Sequence, residues 1–147
     1  MKLKQAEVKI NGSELFFTFL GKDKEIVDSL FECIKMNKAI MREVVKDLPR
    51  KMKIVVKELH PLAKKIMDVP SETAAFHHVI ANLKTGFSMN TIWIFPEALQ
   101  NIKVSSKDSK EFWDRIFFVF LHELAHYLAS DEKETNDIVE KWLRKRY

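Results

Sequence analysis

Few residues in this chain crosslink or interrupt a fold. Cysteine occurs once in 147 residues, at Cys33, so an internal disulfide is excluded. A single thiol among apolar helix positions fits a reducing compartment. There are 3 glycines and 4 prolines, so each one marks an informative boundary. Low-complexity segments and internal repeats are absent. No apolar run reaches the roughly 20 residues that a membrane-spanning helix needs. The opening MKLKQAEVKING has no apolar core of a signal peptide. These absences lead to the expectation of a cytoplasmic protein without a membrane partner. Charge of one sign is also scarce, with a formal net charge of only +4. The basic residues gather at 50–53, 57, 64–65 and 144–146. Solvated faces account for them, and a nucleic-acid patch is the competing reading.

What is present describes one globular domain, monomeric or in a small homo-oligomer. Hydrophobic residues make up 46% and charged residues 31%, and the length suffices for one core. Eleven Phe and three Trp point to an aromatic interior. Asn11-Gly12 between apolar runs is a strong hairpin signal and predicts strands near 5–10 and 14–20. From Asp23 to Leu48 the apolar residues recur at helical spacing, which predicts one long helix stopped by Pro49. Ile54-Val55-Val56 favours a strand within 50–59, broken by His60-Pro61, with a short helix over 62–67 ending near Pro70. Residues 73–83 and 91–95 read as two strands joined by a loop over 84–90. Pro96 ends the second, and a loop follows. The expected class is α+β: a small mixed or antiparallel sheet packed on helices, with an N-terminal hairpin and long helix.

The most informative stretch is FWDRIFFVFLHELAHYLASDEKETND, residues 112–137. It predicts a helix over 112–128, capped by Asp108 or Ser109, apolar on nearly all sides and therefore central. Yet it carries His122, Glu123 and His126. Burying such groups without partners costs roughly 1–3 kcal/mol each, more for a charge. The spacing suggests what satisfies them. His122 and His126, four residues apart, project from one helix face and can share one Zn²⁺ at about 2.0–2.1 Å. Glu123, rotated by 100°, lies beside the metal and is placed to take a proton from a bound water as general base.

Zinc needs a third protein ligand and one open position. Ser130 or Asp131 can cap a second helix, Asp131 with Glu134 fits a capping box, and Ile138, Val139, Trp142 and Leu143 continue it. Two helices thus meet at a tight turn. Glu132 and Glu134 both compete for the third position, although first-turn acids are also favoured by the helix dipole alone.

HELAH followed by Glu132-Lys133-Glu134-Thr135-Asn136 resembles the zincin metallopeptidases of the gluzincin type, whose second helix carries E-x-x-A-[DN]. The order strand, strand, loop, HExxH helix, glutamate helix is similar to the small minigluzincins over roughly residues 52–147. The resemblance implies that Glu132 is the zinc ligand, Asn136 orients a zinc-bound histidine, and a strand at the cleft rim binds extended peptide. Thr135 departs from the usual Ala, and the five-residue gap after His126 is shorter than in large gluzincins. Residues 1–50 fall outside the resemblance; a regulatory segment, a partner-binding piece and an accessory extension of the core beside the catalytic unit at 52–147 are the open readings. His77 and His78 adjoin on a strand, so at most one faces the cleft, where it could stabilise an oxyanion. Tyr127, nearly opposite the histidine face, is expected to pack. The expected function is hydrolysis of peptide bonds in a protein or peptide substrate. The competing reading is a zincin-fold module that binds a protein or nucleic acid, with zinc as a staple.

Overall fold

A computed structural model describes residues 2–58, 60–66, 75–82, 87–129 and 131–144; side chains are described throughout these except at 64, 75–82 and 87–90. The chain is α+β, built on a five-stranded mixed sheet in the order β1-β2-β3-β5-β4. Strands β1 (Leu3–Ile10) and β2 (Ser13–Leu20) form an antiparallel hairpin. Asn11 and Gly12 turn it, with φ of 45° and 87°, the pair of left-handed residues that matches strand twist.

Strand β3 (Lys51–Val56) pairs in parallel with β2, so a crossover must join them. Helices α1 (Lys24–Met36) and α2 (Lys38–Val45) supply it. Where one long helix was expected, there are two. Asn37 is the cause. Its apolar neighbours keep helical phase, but its side-chain Nδ2 donates to Cys33 O at 2.7 Å and competes with the helical backbone pattern. After the short α3 (Pro61–Ile66) come β4 (Ala75–Asn82) and β5 (Phe87–Ile94), an antiparallel pair. Strand β5 begins four residues earlier than its sequence pattern suggested. The remaining loop at 83–86, the helix end near Pro70 and the strand start at 73–74 lie outside the described residues. β5 also runs parallel to β3, which leaves β1 and β4 as the two sheet edges.

Pro96 does more than end β5. It opens α4 (Pro96–Ser105), where a loop was expected. Proline lacks the N–H that a first helical turn leaves unpaired anyway. The next donor, Glu97 N, is taken by Glu58 Oε1 at 2.7 Å. Helix α5 (Ser109–Ala125) follows, capped by Asp108, whose Oδ1 accepts from Glu111 N at 2.8 Å. Helix α6 (Glu132–Arg144) packs against α5.

Leu15, Phe17 and Phe19 of β2, Met52, Ile54 and Val56 of β3, and Ile92 and Ile94 of β5 face one shared core. Phe112, Ile116, Phe117, Phe120, Leu121 and Leu124 of α5 fill it from the helix side. The N-terminal residues belong to this same core. Phe17 meets Phe31 of α1 edge to face at 4.9 Å and lies 6.3 Å from Phe120 of α5. Cys33 is buried, and its thiol donates to Trp113 O at 3.3 Å. Helix α5 is not apolar-buried all round, however. Arg115 is exposed and Phe118 is 44% exposed, on the face that also carries His122.

Truncating the fully buried Phe120 to alanine is expected to cost about 3–5 kcal/mol, since it removes both transfer energy and packing. Urea unfolding would show this as a lower midpoint at an unchanged slope. An unshifted midpoint would mean that α5 does not pack on the sheet as described.

Candidate metal centre

The site is made by one helix ending and another beginning within a few residues. Helix α5 runs to Ala125, and the chain then tightens into short-range turns. His126 N bonds Glu123 O at 3.2 Å, Tyr127 N bonds Leu124 O at 3.1 Å, and Leu128 N and Ala129 N both reach Ala125 O. Such bonds absorb the carbonyls that a helix terminus leaves unpaired. Asp131 then starts α6: its backbone O accepts from Thr135 N at 2.9 Å and its Oδ1 from Lys133 N at 3.2 Å. The Ser130 alternative for this cap lies outside the described residues.

This turn brings Glu132 onto the histidine pair. Glu132 Oε2 lies 3.1 Å from His122 Nε2, and Glu132 Oε1 lies 3.4 Å from His126 Nε2. The two imidazoles meet edge to face, with centroids 4.8 Å apart. One donor atom from each of the three residues falls within a 4.8 Å group, so His122, His126 and Glu132 are positioned to hold a metal ion. Both histidines are largely buried, whereas Glu132 is 70% exposed at its side chain, so the site opens to solvent. Three ligands bound at about 2.0–2.1 Å in tetrahedral geometry stand roughly 3.3 Å apart; each carboxylate–imidazole distance is close to this, one to each carboxylate oxygen, within a group that spans up to 4.8 Å.

The ring of His126 is oriented from behind. His126 Nδ1 lies 3.1 Å from Ala129 O, and a carbonyl can only accept, so Nδ1 is the donor there and Nε2 is the nitrogen turned toward Glu132. The fully buried Thr135 supports the same point. Its hydroxyl donates to Asp131 O at 2.8 Å, and its oxygen sits 3.3 Å from Ala129 O and 3.4 Å from His126 Nδ1. The residue expected to orient a histidine, Asn136, is exposed instead. One helical position earlier, Thr135 points inward. The Thr-for-Ala departure in the sequence was the signal of this, since a hydroxyl at a buried position needs partners. Glu134 is exposed and outside the group.

Glu123 adjoins this group in sequence but is not part of it. It is 6% exposed, and burial, with the nearby Glu132 charge adding to it, pushes its carboxyl up to about 7. Its Oε2 has no hydrogen-bond partner among the described residues. Phe118, one turn before His122, stacks on that imidazole at 6.4 Å. Tyr127 is half-buried and packs against the core, and burial pushes its phenol up to about 12. His77 and His78 stand in β4, opposite Ile92 and Thr91 of β5, and their side chains lie outside what is described. Lys145 and Arg146 of the basic tail also lie outside the described residues.

Comparison with protein-family models, with curated proteins and with solved structures yields no match.

Replacing Glu132 by alanine is expected to weaken divalent-metal binding by more than about 100-fold, beyond the roughly 10–100-fold that loss of an outer hydrogen-bond partner costs. Glu134→Ala should leave the affinity unchanged. Titration against a chromogenic chelator separates the two, and equal losses in both variants would remove Glu132 from the ligand set.

Proposed function

We propose that this chain is a zinc-dependent metallopeptidase of gluzincin-like design, with zinc held by His122, His126 and Glu132 and with Glu123 as the proton carrier. Two imidazoles and one carboxylate form a donor set that suits zinc. When bound, zinc would lower the pKa of a water toward 7 and polarise a peptide carbonyl.

The observation that carries this reading is Glu123. A buried carboxylate oxygen without a protein partner costs on the order of 1–3 kcal/mol or more, and helix α5 has ample apolar alternatives for that position. The cost makes sense if the carboxylate serves a reacting water. Glu123 would take the proton of the attacking water and pass it to the leaving amine. Its elevated proton affinity near neutrality suits both halves of that transfer. His126, fixed through Ala129 O, holds its Nε2 toward the site throughout.

A structural role for zinc is less favoured. Structural sites are closed by four protein ligands, whereas only three candidate ligands converge among the described residues. An open fourth position and a solvent-facing Glu132 suit substrate access. Strand β4 is a sheet edge that lies against α5, and such an edge can receive an extended peptide as an added strand.

Glu123→Gln is expected to bind metal as the wild type does and to lose about 10²–10⁴-fold in turnover. A peptide library incubated with each zinc-loaded protein and read by mass spectrometry provides the comparison. Cleavage by both proteins alike would exclude Glu123 from the chemistry. Absence of cleavage by the zinc-loaded wild type would favour the binding-module reading.

A further inference from the structure

At the sheet edge formed by β1 lies a groove that the metal centre does not use. Among the described residues strand β1 pairs only with β2, so its outward backbone groups bond no other described strand. Beside this edge, the helix layer overhangs at the α1–α2 break. The space between has a cavity volume of about 460 Å³. Its floor is apolar: Val8 and Ile10 of β1, Phe31 of α1 and Met41 of α2. Val8, Ile10 and Phe31 are only partly buried, so the core continues past the sheet edge without being closed there.

The rim is of one sign. Lys35, Lys38 and Arg42 line it from the helix side, and no carboxylate does among the described residues. Lys9 belongs to the other face of β1, opposite Glu14, whereas Lys35, Lys38 and Arg42 make no ion pair among the described residues. In a chain where 25 Lys and Arg are nearly balanced by 21 Asp and Glu, three cations without a carboxylate among the described lining residues are a local excess of one sign.

We propose that this groove binds an extended, acidic segment of a partner protein, added as a sixth strand along β1. Three features converge on that occupant. The free edge offers main-chain hydrogen bonds to an incoming strand. Alternate side chains of such a strand point toward the helix layer, where the apolar floor can bury them. The flanking cations then meet Asp or Glu on the same segment, which steers its approach and selects it over neutral strands. The same charges disfavour another copy of this chain, because lysines along an edge oppose pairing with a lysine-bearing edge. A nucleic acid is less well matched: the floor is mainly aliphatic, and its one aromatic ring, Phe31, is already engaged edge to face by Phe17.

The test uses the full chain and a fluorescein-labelled peptide of alternating valine and glutamate, with an alternating valine–lysine peptide and an oligothymidylate as competitors. Anisotropy is expected to show saturable binding of the acidic peptide that weakens with salt. The double charge reversal Lys35→Glu with Lys38→Glu, both at exposed positions, should weaken it by about tenfold or more. His122→Ala should bind as the wild type does, since the groove is separate from the metal centre. Hydrogen exchange should show new protection at the amides of residues 3–10, not at 75–82. Absence of saturable binding would overturn the proposal. So would equal binding of the basic peptide, displacement by oligothymidylate with no protection of β1, or self-association through β1 at the concentrations used.

Discussion

The hydrogen bond from His126 to the Ala129 carbonyl is the constraint on which the site depends. It does two things with one proton. It fixes which imidazole nitrogen carries hydrogen, and it ties the end of α5 to the turn that launches α6. Without that turn Glu132 would not return to the histidine pair, because a continuous helix would carry it roughly 240° round from His126 and about 9 Å further along the axis. Thr135 reinforces the arrangement from inside α6 by bonding the turn's own carbonyls. The candidate metal-holding cluster is therefore a product of local backbone chemistry at a helix junction as much as of the H-E-x-x-H spacing.

Helix α5 reconciles two conflicting demands. Its first four turns are core, anchored by Phe112, Ile116, Phe117 and Phe120 against the sheet and α1. Its last turn carries polar groups that the core would otherwise reject. The compromise is spatial. His122 and His126 reach partial exposure on the open side, while Glu123 is turned inward. The packing that stabilises the fold is thus also what holds the candidate site rigid. The N-terminal hairpin and α1 share that function, since Phe17 and Phe31 contact one another and Phe17 approaches Phe120.

Much of this was legible in the sequence, for identifiable reasons. The Asn11-Gly12 turn, the alternating β2 and the HELAH spacing are local signals, and local signals survive into the fold. Proline was read in only one of its two roles: Pro96 ends a strand and also begins α4, which a stop signal alone does not reveal. Asn37 was invisible as a break because the apolar rhythm continues through it; the interruption depends on one side-chain hydrogen bond. The choice between Glu132 and Glu134 needed three-dimensional geometry, since both sit in the same first turn. Thr135 and Asn136 show the same limit: adjacent helix positions differ by 100°, and only the packing of α6 on α5 decides which one turns toward His126.

X-ray absorption at the zinc edge, on the protein reconstituted with one equivalent of zinc, tests the central claim most directly. The account predicts a four-coordinate nitrogen and oxygen environment at about 2.0–2.1 Å, with the outer-shell scattering of two imidazoles. The second imidazole should disappear in His122→Ala. A six-coordinate, water-like spectrum without imidazole scattering, or zinc that does not remain bound, would contradict it.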